Sequence, residues 1–243
     1  MNNPTLTQNT FTSAGVGVAN PMTLQGTINK TGVLLALLTV PAIYTWRQAM
    51  ANPAAATPWL ITALIVGFIL SLITVFKQSW APVTAPLYAI AEGFVLGAVS
   101  AMYANLYHGI VLQAVMLTVG VLGMMLGLYT MRILQATEKF MMVIVAATGA
   151  ICLTYLVTMV LGFFHIQVPF IHGNGLMGIG FSVVVVVVAA LNLILDFGLI
   201  ENGVKAQAPK YMEWYAGFSL LVTLVWLYLE ILRLLSKLAS RRD

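Results

Sequence analysis

Four carboxylates stand in or beside long apolar runs: Glu92, Asp196, Glu213 and Glu230. A carboxylate inside a bilayer is expensive, so such residues mark ion paths, proton relays or polar knots between helices. Ionised, they are hard oxygen ligands suited to Ca²⁺. Neutral, they are hydrogen-bond donors, and desolvation against a nearby cation decides which form prevails. Asn192 stands one helical turn before Asp196, with an amide able to donate. Ser182, Ala189, Asn192 and Asp196 recur at helical spacing as a small, polar stripe, which should face protein and not lipid. Glu92 falls near the middle of its apolar run. Glu213 opens the last run beside Trp214, where a carboxylate suits a helix N-terminus. Glu230 has Arg233 three residues on, the spacing of a local ion pair.

Other chemistry is sparse. One cysteine, Cys152, permits neither a disulfide framework nor a thiolate metal cluster. His165 and His172 have no carboxylate or thiol companion, so they read as interfacial loop residues, and no metal site is expected. There is no HExxH, P-loop or GxSxG, and nothing sets a nucleophile beside a base, so no enzyme and no catalytic residue is expected. No cofactor is expected either.

The elements that position these groups follow from where charge is missing. Of 243 residues, 60% are hydrophobic and 7% are charged, far below the roughly 25% of a soluble domain. The net charge of +4 is scattered, which argues against a nucleic-acid partner. Charge is absent from 31–46, 48–76, 78–91, 93–131, 140–195 and 214–229. Since one span takes about 20 residues, 93–131 and 140–195 must each hold two helices. Breakers at Ala104–Gly109 and Phe164–Gly175 divide them. The expected fold is all-α: a polytopic integral membrane protein with seven helices over 32–52, 58–77, 83–105, 109–132, 140–164, 175–200 and 212–237. The Val183–Val188 run favours a strand in water. In lipid the backbone must satisfy itself, so a helix is expected. Residues 1–29, polar and uncharged, are expected to be a flexible tail, leaving 30–243 as the transmembrane domain. Lys30, Lys77, Arg132, Lys139, Lys205 and Lys210 fall on one side and put the N-terminus in the cytoplasm.

Small residues let helices approach in lipid. Gly93 with Gly97, and Gly123 with Gly127, form two GxxxG pairs. Both are expected to fill seams inside the bundle, an oligomer interface being the other use.

Several segments together resemble the Bax inhibitor-1 family. Leu191-Asn-Leu-Ile-Leu-Asp196-Phe-Gly-Leu-Ile-Glu201 is similar to its penultimate helix, and Leu220 to Ser236, with Ile231-Leu-Arg233-Leu-Leu235, to its last. Ala91-Glu92-Gly93-Phe-Val-Leu-Gly97 resembles its third helix, and Ala208-Pro-Lys-Tyr-Met-Glu-Trp-Tyr215 looks like a bacterial branch. The resemblance implies a seven-helix bundle with the last helix central, in a bacterial inner membrane. It also implies a pH-sensitive Ca²⁺ leak gated by two aspartates, on the last two helices, and an arginine. Asp196 matches the first aspartate. The second falls on Glu230 by its Leu-Tyr-Leu-Glu sequence, or on Thr223 by counting back from Arg233. Counting 1.5 Å per residue sets Glu230 far from Asp196 in depth and favours Thr223. Lys77 stands where the arginine belongs. The expected ion path and pH sensor therefore draw on Asp196, Glu92, Asn192, Thr223, Glu230 and Lys77. Its partners are the lipid bilayer and Ca²⁺ or another cation. The competing expectation is a non-conducting regulatory or scaffold protein that acts through helix contacts with other membrane proteins.

Overall fold

The computed structural model describes residues 21–164, 173 and 175–241. Seven helices follow in order: α1 Leu24–Ala51, α2 Pro53–Phe76, α3 Ala81–Leu106, α4 Ile110–Thr130, α5 Glu138–Phe163, α6 Leu176–Lys205 and α7 Met212–Ala239. A short 3₁₀ turn, Gln78–Trp80, joins α2 to α3. Among the described residues there is no β-strand, only an isolated bridge between Pro21 and Pro209. All seven helices are long and apolar enough to cross a membrane. The valine run is helical within α6, as the lipid argument requires.

The boundaries depart from expectation at α1, at α2, which begins five residues early at Pro53, and at α6. Residues 24–29, expected in the tail, are helical. Thr23 caps α1, its side chain accepting from the Gly26 amide at 3.0 Å. Residues 1–20 lie outside the described residues, as do His165 and His172. Helix α6 runs on to Lys205, where an exposed Lys205–Glu201 pair at 2.7 Å closes its last turn. Gln207, with φ 52, and Pro209 then end it.

The chain divides into two compact units. The N-terminal unit holds α1, α2 and α3, with α6 from Gly198 and α7 as far as Val222. In it α1 packs on α3, and α3 on α2. The α1–α3 contact is set by two glycines. A Cβ on Gly93 would overlap the Leu38 carbonyl oxygen and lie 2.6 Å from Pro41 Cγ. A Cβ on Gly97 would overlap the Ala42 carbonyl oxygen and lie 2.9 Å from Thr45 Cβ. This GxxxG pair is thus an internal seam at backbone contact, the close approach that small residues permit in lipid.

The unit is also clasped at its start. Glu213 Oε1, from the first turn of α7, accepts from the Thr23 amide at 3.0 Å and the Thr23 hydroxyl at 2.8 Å. Lys210 pairs with the same oxygen at 2.7 Å. Glu213 therefore serves the N-terminus of α1 across 190 residues of sequence, where the sequence reading assigned it to its own helix. Beside it, the Met22 amide donates to the Ala208 carbonyl at 2.6 Å, and the Met22 side chain is buried with Ala81, Met212, Tyr215 and Ala216.

The C-terminal unit holds Gly109–Phe197 and the chain from Thr223 onward. Its apolar core joins Ile151 of α5 to Val185 and Val188 of α6, with Tyr155, Phe181 and Trp226 against them. Helix α4 corrects an expectation. A Cβ on Gly123 or Gly127 would meet nothing within 4 Å, so this GxxxG pair fills no seam among the described residues. Met116 and Met124 on the same helix are exposed as well.

Candidate functional site

Within the C-terminal unit several polar side chains of α5, α6 and α7 meet one another across the helices. Ser182, Ala189, Asn192 and Asp196, the predicted stripe on α6, are all buried, and Asp196 is 0% exposed. The spacing explains it: the four residues recur on one helix face, and burying them there keeps their polar groups out of hydrocarbon.

Four layers of contacts follow along the seam. At one end the Thr223 hydroxyl of α7 donates to Asp196 Oδ2 at 2.7 Å. One turn away the Asn192 amide donates to Thr148 Oγ1 of α5 at 2.8 Å and to the Val188 carbonyl at 2.9 Å. The amide foreseen as available near Asp196 is thus directed elsewhere, because Thr148 stands opposite it.

Farther along, the Tyr155 hydroxyl of α5 donates to Glu230 Oε1 and Oε2 at 2.9 and 3.0 Å. Arg233 Nη1 donates to the Tyr155 hydroxyl oxygen at 2.6 Å and to Glu230 Oε1 at 3.0 Å. The guanidinium also lies over the Tyr155 ring, 4.9 Å from its centroid. At the far end Lys237 Nζ is buried and donates to the Gly178 carbonyl and the Ser182 hydroxyl, both at 2.9 Å. A Cβ on Gly178 would overlap the Gly173 carbonyl oxygen, while Lys237 Nζ, 3.6 Å away, would be in ordinary contact with it.

The register is regular. Asp196 to Ser182 on α6 and Thr223 to Lys237 on α7 each span 14 residues, about 21 Å at 1.5 Å per residue. That is most of the roughly 30 Å thickness of a bilayer core. Glu230 falls halfway between Thr223 and Lys237 on α7, about two turns from each. Its carboxylate is bound by Tyr155 and Arg233, while Thr223 occupies the position facing Asp196.

Two of the expected ion-path residues lie in the N-terminal unit. Glu92 is half-buried on α3, hydrogen-bonded to Tyr88 one turn earlier and facing Gly67 of α2, whose Cβ would lie 3.7 Å from Glu92 Oε2. Lys77, expected as a cation for Asp196, is exposed and folds onto Trp80, its Nζ 3.9 Å from the ring centroid. It makes no ion pair among the described residues, because the end of α2 delivers it to the surface, against an indole.

Sequence reasoning missed Thr148, Tyr155 and Lys237. Thr148 and Tyr155 are seven residues apart, with Ile144 and Ile151 buried on the same face. That polar pair was the available signal, but α5 is apolar all round, so no hydrophobic periodicity marked its inner face. Among the described residues no three His, Cys, Asp or Glu side chains come together to hold a metal.

A family model described as Bax inhibitor 1 like matches residues 3–240. The chain belongs to that family. No curated protein and no solved structure matches it. With family membership and seven apolar spans together, it is an integral membrane protein whose outer surface contacts the lipid bilayer. The exposed apolar residues of α2 and α4, such as Phe68, Ile69, Leu112 and Val119, are the surface that lipid covers.

Proposed function

We propose that this Bax inhibitor 1 like protein conducts a cation, Ca²⁺ in the first place, as a slow leak modulated by protons. It is no enzyme on this reading, and Ca²⁺ is its cargo and not a resident cofactor. The observation that carries the reading is the buried Asp196 carboxylate with the Thr223 hydroxyl 2.7 Å away, at one end of a polar seam about 21 Å long. A carboxylate held in protein at membrane depth can attract a cation when ionised and release it when protonated. Asn192, Thr148 and Ser182 extend the polar lining, and the Glu230–Arg233 pair neutralises itself midway. Glu92 supplies a carboxylate to the N-terminal unit.

Asp196→Asn keeps the side chain's shape and cannot ionise. In liposomes loaded with a Ca²⁺ dye, wild type should leak with a pH dependence across roughly pH 6–8, where buried carboxyls titrate. Asp196→Asn should lose that dependence while its melting temperature stays close to wild type. Equal pH profiles for the two proteins would make Asp196 structural.

The orientation that fits the lysine distribution sets the N-terminus in the cytoplasm of a bacterial cell, in its inner membrane. Single cysteines placed at Gln135 and Gln207 should then resist impermeant thiol reagents added from outside. Efficient external labelling at either position would reverse the orientation.

A second reading has its own observation. The open Gly123–Gly127 face of α4 is the kind of surface on which a partner helix packs. If wild type fails to leak at every pH, the non-conducting, partner-binding role takes over.

A further inference from the structure

At the end of the N-terminal unit where α1 and α7 begin, the cations have different fates. Lys205 is paired with Glu201, and Lys210 with Glu213, each at 2.7 Å. These two pairs use both carboxylates of the α6–α7 turn. Lys30 and Lys77 meet no carboxylate among the described residues. Each instead lies on an indole: Lys30 Nζ is 4.7 Å from the Trp214 ring centroid, and Lys77 Nζ is 3.9 Å from that of Trp80. A cation–π contact orients an ammonium without using its hydrogen-bond donors.

Both lysines belong to the same end of the unit. Trp214 is in the first turn of α7, and Ala81, the residue after Trp80, is buried against Met212, Tyr215 and Ala216 of that same turn. The surface around Lys77 is apolar. Phe76 is 84% exposed and Trp80 is 51% exposed, which no water-facing loop would favour but a membrane interface does.

We infer that this end of the N-terminal unit binds the headgroup of an anionic phospholipid, with Lys30 and Lys77 donating to its phosphate. Trp80 and Phe76 lie at the depth of the glycerol and upper acyl chains, and the indoles hold the ammonium groups at the height of the phosphate layer. A soluble acidic partner fits less well, because it would have to cover Phe76 and Trp80 from the water side. The ligand class follows from charge complementarity: two unpaired cations select against a zwitterionic headgroup, whose own ammonium they repel. This inference does not depend on ion conduction.

The test uses the full chain in nanodiscs of phosphatidylethanolamine with a minor share of phosphatidylglycerol, followed by native mass spectrometry of the lipids that stay bound. Wild type should retain phosphatidylglycerol in excess over its share. Each lysine near an anionic surface biases binding about fivefold, so Lys30→Gln/Lys77→Gln should lower the preference by roughly twenty-five-fold. Lys30→Arg/Lys77→Arg should keep it. Lys139→Gln/Lys205→Gln removes the same net charge from one lysine of the C-terminal unit and one already paired with Glu201, and should also keep it. The inference is overturned if wild type retains no excess of phosphatidylglycerol. It is equally overturned if the Lys139/Lys205 variant loses as much preference as the Lys30/Lys77 variant.

Discussion

Alanine at Gly93 or at Gly97 is expected to destabilise the protein by about 3 kcal/mol, the upper end of overpacking costs. The reason is what the new methyl group would strike. At Gly93 it would overlap the Leu38 carbonyl oxygen and approach Pro41, and at Gly97 it would overlap the Ala42 carbonyl oxygen. Backbone atoms in a packed helix cannot rotate aside as a side-chain end can, so α1 must move off α3. For a chain of this length the loss should lower the melting temperature in detergent by roughly 6–12 °C. Gly123→Ala and Gly127→Ala are the matched controls. They make the same chemical change in the same motif, but the new Cβ meets nothing within 4 Å. There alanine only improves helix propensity, by up to about 1 kcal/mol, so melting should hold or rise. Equal losses at Gly93 and Gly123 would refute the internal α1–α3 seam.

The second large effect is expected at the middle of the polar seam. Arg233→Met keeps most of the side-chain volume but leaves Glu230, 3% exposed, with Tyr155 as the remaining contact described for it. Removing one partner of a fully buried ion pair costs about 3–5 kcal/mol, because the other charge is stranded. The Arg233 side chain is 35% exposed, so solvent already screens part of the interaction, and about 2 kcal/mol is the fitting expectation. Glu230→Gln added to Arg233→Met removes the stranded charge while keeping an acceptor for the Tyr155 hydroxyl. The double variant should therefore be more stable than Arg233→Met alone, by 1 kcal/mol or more in order of magnitude. Thermal melting of the four proteins of the cycle measures this. A double variant that loses the sum of the two single losses would show that the pair contributes nothing as a pair.

Much of the fold was legible because the bilayer is an unforgiving solvent. Charge cannot remain in hydrocarbon and backbone amides cannot remain unpaired there, so charge-poor length, divided at two breaker segments, marked seven helices. Their ends lie within a few residues of the observed ones, except at α1, α2 and α6. The inward direction of the Ser182–Asn192–Asp196 face was legible for the same reason. Helical period placed the polar groups on one side, and lipid forbids that side to face outward.

Partner identity was not legible, because it depends on distances across helices that no local rule carries. The early start of α1 comes from Glu213, 190 residues away in sequence, gripping Thr23. Identical GxxxG spacing had opposite outcomes: a Cβ on Gly93 or Gly97 would strike the backbone of α1, whereas one on Gly123 or Gly127 would meet nothing within 4 Å among the described residues. The motif supplies the permission to approach, and only the arrangement of helices decides whether anything comes. Lys77 was assigned to Asp196 by its sequence position, but its place at the end of α2 laid it on Trp80 instead. For Thr223 and Glu230, helical rise along α7 already separated the two depths. Only the tertiary structure put Tyr155 of α5 beside Glu230 and set the Thr223 hydroxyl against Asp196. Sequence thus determined which groups must be hidden from lipid. The packing of α5, α6 and α7 decided which of them hide against one another, because a hydrogen bond or ion pair needs its partner within about 3 Å, and only the folded chain brings residues so remote in sequence that close.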